Sequence, residues 1–218
     1  MSLKLYGYWR SSASYRVRIA LNLKALDYSY EGVHLVDNGG EQTSAEYIQL
    51  NPSMLVPTFV DADADITLSQ SLAIIEYLDE KYPQPCELLP KHAQDRARIR
   101  SIAQDIACDT QPLANLRVLN QLRNDFSASD LQVKNWAKYW IEKSFVALSK
   151  KLETRTGKFA YGYQVTLADI CIVPQVYNAI RFGVNLSEYP IIEKVYQNCS
   201  AIDAFEKAAP ENQPDAQV

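Results

Sequence analysis

Three prolines, Pro83, Pro85 and Pro90, fall within eight residues, and the patterning of the chain changes across them. Proline lacks the N–H that helices and sheet ladders use, so such a stretch reads as a linker between separately packed units. Before it, strand-like and helix-like segments take turns. Residues 3–6 alternate and predict a first strand, and residues 15–24 a helix. Residues 28–35 predict a second strand and 44–50 a short helix. Asn51-Pro52 closes that helix, because the residue before proline is pushed out of the α region. Residues 56–60 and 66–68 predict two more strands around an acidic turn, Asp61 to Asp65. Residues 71–82 predict a helix with Leu72, Ile75 and Leu78 on one face. The order is β-α-β-α-β-β-α.

After the prolines the strand signal fades. Residues 93–123 predict a helical stretch broken at Pro112, and 129–154 a helix rich in Trp136, Tyr139, Trp140 and Phe145. Residues 166–181 predict another helix, and shorter ones follow between 189 and 208. The polar tail, 210–218, is expected to fray. The expected fold class is an α/β domain over residues 1–83, a linker over 84–90 and an all-helical domain over 91–218.

Composition narrows the function. The 218 residues are enough for two cores. Lys plus Arg number 22 against 26 Asp plus Glu, so the formal net charge is -4, which argues against nucleic-acid and polybasic membrane-surface partners. No apolar run approaches the about 18 residues that a membrane span needs. Cys86, Cys108, Cys171 and Cys199 are scattered without a CxxC, and with only His34 and His92 no zinc set forms. A chain this size does not need disulfides, so free thiols in a reducing, cytoplasmic compartment are expected, with no metal.

Several short motifs admit two readings. Thr166-Leu-Ala-Asp169 is a helix capping box, in which hydroxyl and carboxylate satisfy orphan backbone donors reciprocally. Val56-Pro57 reads as an edge-strand proline, or as a cis peptide that turns the Val56 backbone toward an extended ligand. Gln70-Ser71 reads as a plain helix start, or as a helix N-terminus that holds a carboxylate. Ser11-Ser12-Ala13-Ser14 lies at the first strand-to-helix turn. It reads as a cap, or as a source of a hydroxyl that stabilises an anion, with Tyr6 and Tyr8 as rival donors. His34 and His92 lie in no motif, so no Ser-His-Asp arrangement supports a serine nucleophile. An anionic substrate would have to be caught by particular arginines, among Arg10, Arg16, Arg18, Arg117 and Arg181. Arg16 and Arg18 are two apart on a helix and face different ways. Arg181 also suits a helix C-terminus without any function.

Together these segments resemble the zeta class of the cytosolic glutathione transferases. The resemblance runs through Arg10-Ser-Ser-Ala-Ser-Tyr-Arg-Val-Arg-Ile-Ala20, Leu50-Asn-Pro and Gln70-Ser-Leu-Ala-Ile-Ile-Glu-Tyr-Leu78. It continues through Gln111-Pro-Leu, Val165-Thr-Leu-Ala-Asp, Val173-Pro-Gln-Val, Arg181-Phe182 and Gln213-Pro-Asp. It implies a thioredoxin-like glutathione-binding domain before the helical substrate domain, glutathione as cofactor, and a homodimer. The activity it implies is glutathione-dependent cis-trans isomerisation of maleylacetoacetate in tyrosine breakdown. The alternatives are maleylpyruvate isomerisation in gentisate breakdown, or transferase chemistry on α-halo acids.

The resemblance also implies roles. Ser11, with Ser12 beside it, would hydrogen-bond the glutathione sulfur. Gln42 would lie near the glycyl end, Val56 would pair with the cysteinyl unit through its backbone, and Pro57 would be cis. Gln70 and Ser71 would hold the γ-glutamyl end, Gln111 would lie near the site from the helical domain, and Arg181 would take a substrate carboxylate. The class usually reads Ser-Ser-Cys-Ser where this chain has Ala13, so a protein thiol there is not available.

Overall fold

The structure, a computed structural model, describes residues 2–217. They pack as two units: Met1–Glu87 with Ile202–Val218, and Leu88–Ala201.

In the first unit, strand β1 (Leu3–Gly7) lies between β2 (Ser29–Gly32), parallel to it, and β3 (Thr58–Asp61), antiparallel. β4 (Ile66–Ser69) extends β3 as a hairpin, giving the order β2-β1-β3-β4. Helices α1 (Ser12–Leu23) and α3 (Ser71–Lys81) pack on one another. Leu5, Phe59, Val17, Leu21 and Leu78 are fully buried in this core. The short helix α2 (Ala45–Leu50) begins at Ser44, whose hydroxyl accepts from Tyr47 N. This is the expected thioredoxin-like arrangement.

β3 starts at Thr58, two residues later than the alternation predicts. Pro57 has no N–H to give the ladder, and the Val56–Pro57 peptide is cis, as the resemblance implies. Asp61 ends β3, fully buried, and accepts hydrogen bonds from Tyr77 (2.8 Å) and Lys81 (2.5 Å) of α3. Burial alone would raise the Asp61 carboxyl; the bonds from Lys81 and Tyr77 outweigh it and hold the group below its ordinary range. The link fixes α3 against the sheet and so fixes where α3 begins.

The C-terminal segment departs from expectation. Residues from Ile202 onward pack with the first unit, and the tail is hydrogen-bonded where fraying was expected. Helix α10 (Asp203–Ala208) lies on α1, burying Phe205 and Ala208. Asn22 donates to the Ala204 carbonyl and Arg18 to that of Ala208. The polar composition of the tail conceals these partners, because they lie far away in sequence.

The second unit is helical: α4 (Ala93–Gln104), α5 (Gln111–Leu113), α6 (Leu116–Asp125), α7 (Asp130–Leu152), α8 (Leu167–Arg181) and α9 (Pro190–Ser200). A π-helical stretch, Asp105–Thr110, joins α4 to α5. The break falls at Asn115, which caps α6, and not at Pro112. Pro112 is the second residue of α5, directly after the π-helical stretch. Ser129 and Gln132 form a capping box at α7 that the sequence reading passed over. The box expected at Thr166 and Asp169 opens α8. Asp169 is fully buried and accepts from Ala160 N (2.7 Å), Thr166 N (2.8 Å) and the Thr166 hydroxyl (2.9 Å). Among the described residues, no helix is long and apolar enough to cross a membrane.

Two stability outcomes are expected. Thr166→Ala should lower the free energy of unfolding by about 1 kcal/mol, read by denaturant titration. A carboxyl held below its ordinary value stabilises the fold above about pH 4, and that contribution is lost as pH falls through the folded value. Asp61→Asn should therefore flatten the acid limb of a melting-temperature profile; an unchanged limb would count against this role for Asp61.

Candidate active site

The turn from β1 into α1 places the first group. Ser11 is the N-cap of α1, in extended backbone, and its hydroxyl accepts from Ser14 N at 3.2 Å. A serine hydroxyl carries a donor as well as acceptors, and nothing in the described chain takes the Ser11 proton. The two readings of this turn are therefore compatible: one oxygen lone pair caps the helix, and no described protein group accepts the proton. The first turn of α1 contains no acidic side chain to offset the partial positive charge of its N-terminus. Ser12 and Ser14 are buried, and Ser14 Oγ accepts from Tyr8 N at 3.3 Å. The rival phenols are placed differently. Tyr8 is buried edge-on to Trp9 and His34, while Tyr6 packs edge-on to Tyr47.

The turn before β3 places the second group. Tyr47 Oη and Asn51 Nδ2 both donate to the Leu55 carbonyl (2.7 and 2.8 Å), and both bond the Thr58 hydroxyl. These anchors fix the residues flanking Val56. Val56 itself uses neither its N–H nor its carbonyl in a hydrogen bond within the described chain. A half-buried residue with both backbone groups open is suited to pair with an extended peptide-like ligand.

The start of α3 places the third. Gln70 is exposed and holds φ 71°, a left-handed value that costs a side-chain-bearing residue of order 1–3 kcal/mol and gathers at functional sites. Ser71 is buried, and its hydroxyl accepts from Arg16 Nη1 at 2.8 Å. That bond turns the Ser71 proton away from the guanidinium, and the charge strengthens it as a donor. The first turn of α3, like that of α1, has no acidic side chain. Gln42, in the turn Glu41–Thr43, bonds the Leu35 carbonyl through Nε2 at 3.5 Å and leaves a buried Oε1 without a partner.

Ser11, Ser12, Gln42, Val56, Gln70 and Ser71 thus all belong to the first unit; Gln111 and Arg181 belong to the second. Gln111 opens α5 and is half-buried. Arg181 ends α8, exposed, with its guanidinium 4.6 Å from the Phe182 ring centre.

The five candidate arginines divide by burial. Arg16 and Arg18 are buried and bound to protein groups. Arg10, Arg117 and Arg181 reach solvent. Sequence reasoning missed that Arg16 underlies Ser71, although their 55-residue separation leaves no local signal. His34 is structural, its Nδ1 accepting from Val36 N and Asp37 N. All four cysteines are free. Burial and the neighbouring Asp169 push the Cys199 thiol far above its ordinary range, and burial raises Cys86, so neither is a nucleophile at neutral pH.

Two family models match the chain: the glutathione S-transferase N-terminal domain over residues 1–80 and its C-terminal domain over residues 118–203. A probable maleylacetoacetate isomerase of Vibrio cholerae is 49% identical over 216 residues, 99% of each chain. A solved holo structure of maleyl pyruvate isomerase, described as a bacterial glutathione S-transferase of the zeta class, superposes with a TM-score of 0.93 at 44% identity, over 98% of this chain and 100% of that one. A maleylacetoacetate isomerase from Anaeromyxobacter dehalogenans, solved with glutathione in its active site, superposes with a TM-score of 0.88 at 41% identity, over 99% and 98% of the chains. The chain belongs to the zeta class of the glutathione S-transferase family.

Proposed function

We propose that this protein is a glutathione-dependent cis-trans isomerase acting on maleylacetoacetate. The observation that carries the reading is the set of open polar groups in the first unit. These are a hydroxyl proton at the α1 N-terminus, an unpaired Val56 backbone, a polarised Ser71 hydroxyl and an orphaned Gln42 oxygen. Together they fit a short anionic peptide with a thiol. Val56 would pair with its central residue. Gln70, Ser71 and the α3 N-terminus would hold its γ-glutamyl end, and Gln42 its glycyl end. Gln111 would contribute from the helical unit, which we assign to the substrate.

Bound glutathione would supply a thiolate for reversible addition to the cis double bond, which would free rotation about that bond without net consumption of the thiol. The chain's own task is to favour that thiolate. A free thiol has a pKa of about 8.5, and lowering it by about two units needs about 2.7 kcal/mol. A charge-assisted hydrogen bond from Ser11 contributes about 1.5–3 kcal/mol, and the α1 N-terminus adds about 0.3–1 kcal/mol. The two suffice without a base, which suits a turn without a catalytic histidine. Ser12 lies beside Ser11 in the same helix start. Arg181 would orient a substrate carboxylate and favour charge on the carbonyl oxygen. Four free thiols fit a cytoplasmic setting, and the assembly is read as a homodimer.

Maleylpyruvate is the second substrate reading. It is favoured by the close superposition on the maleyl pyruvate isomerase and by Ala13, which leaves no protein thiol beside Ser11. A glutathione-dependent spectral assay with each substrate decides between them. Ser11→Ala should remain folded and lose about a hundredfold in turnover, the scale of losing one oxyanion donor; near-normal turnover would remove Ser11 from the mechanism. Arg181→Ala should raise KM for the carboxylate substrate about tenfold with a smaller change in kcat. An unchanged KM would return Arg181 to a helix-end role.

A further inference from the structure

The motif Gln213-Pro214-Asp215 has no part in the chemistry above, yet it reaches the turn that carries Ser11. Asp215 Oδ2 accepts from the Trp9 backbone N–H at 2.9 Å and from the Tyr30 hydroxyl at 3.2 Å. The other side of the Trp9 residue is held as well, by Arg18 Nη2 on its carbonyl at 2.9 Å. Arg18 Nη1 lies 3.5 Å from the Tyr8 carbonyl, and that same carbonyl accepts from Ser11 N at 2.9 Å. Trp9 is therefore clamped through both of its peptide groups, two residues before the Ser11 hydroxyl.

The tail is built to deliver the carboxylate. Gln213 is buried and donates to the Lys207 and Ala209 carbonyls at 2.9 and 2.8 Å, pinning the turn after α10. Opposite Asp215 stands Gly32; a Cβ there would meet the Asp215 Cβ at 3.1 Å. Any larger residue at position 32 would press on the aspartate.

We propose that the Gln213–Asp215 segment latches the turn between Tyr8 and Ser11, and that Asp215 is a positioning residue for the Ser11 hydroxyl. The physical reason is geometric. A hydrogen bond to a developing thiolate counts fully only if its donor is aimed beforehand. Packing of the Tyr8 and Trp9 rings holds the side chains of the turn, and hydrogen bonds from the remote segment and from Arg18 fix the peptide groups of Trp9 that lead to Ser11. Asp215 acts as an acceptor for protein groups, through Trp9 N and the Tyr30 hydroxyl. The inference rests on the reading of Ser11 as the thiolate donor.

The test follows the ultraviolet absorbance of the thiolate of bound glutathione against pH in the full-length protein. Wild type, Ser11→Ala, Asp215→Ala and Asp215→Asn are compared, each with its glutathione affinity and melting temperature. Asp215→Ala should raise the midpoint of thiol ionisation by about one pH unit and lower kcat about tenfold, while glutathione affinity stays within about threefold. Asp215→Asn keeps an oxygen that accepts from Trp9 and should restore the wild-type midpoint. A folded Asp215→Ala with an unmoved midpoint overturns the latch, and an Asn variant that behaves like the Ala variant overturns the acceptor role. An unmoved Ser11→Ala sinks the Ser11 reading and the latch with it, whereas a moved Ser11→Ala beside an unmoved Asp215→Ala sinks the latch alone. Should Asp215→Ala fail to fold, Gln213→Ala loosens the segment with the carboxylate in place. It should then raise the midpoint in the same direction, and a wild-type midpoint would overturn the latch.

Discussion

A guanidinium buried in α1 organises the first unit. Arg18 has no exposure to solvent, and a buried cation is tolerated only when its donors are matched. It is matched by backbone carbonyls of Tyr8, Trp9 and Ala208 and by the face of the Tyr15 ring. Burial lowers its pKa, and the nearby tyrosines and Asp215 oppose that shift. One side chain thus joins the turn before α1 to the helix after residue 202. Arg16, two positions earlier, points elsewhere and meets Ser71 at the start of α3. The pair face different ways, as two residues at this spacing on a helix must. Each ends at a different part of the proposed glutathione site.

That arrangement explains how an acidic protein would bind an anionic tripeptide. The net charge of -4 offers no general attraction. Positive potential is instead local: two helix N-termini without acidic residues, and a buried guanidinium beneath one of them. The same economy holds for sulfur. No cysteine lies in the turn at Ala13, and Cys86 and Cys199 have raised pKa values, so the reactive thiol is best supplied by a ligand.

Local features were legible in the sequence, and distant partnerships were not. The order of the seven strands and helices over residues 3–81 follows from periodicity, and the cap at Thr166 from a four-residue pattern. Ser11 as a helix cap could be read from its neighbours alone. The open backbone of Val56 could not, because it depends on Tyr47 and Asn51 holding the residues on either side. The roles of Arg16 and Arg18 were hidden for the same reason: helical spacing gives their direction and leaves their partners unnamed. The tail was misjudged because polar composition predicts fraying, whereas Gln213 and Asp215 spend their polarity on internal hydrogen bonds.

The most direct test of the whole account is stoichiometric. Proton NMR can follow a cis enone acid and the glutathione thiol together, with glutathione far below the substrate concentration. The account predicts full conversion to the trans isomer with the thiol titre unchanged, since the sulfur is borrowed and returned. Consumption of one thiol for each substrate converted, with a stable sulfur adduct as product, would contradict it.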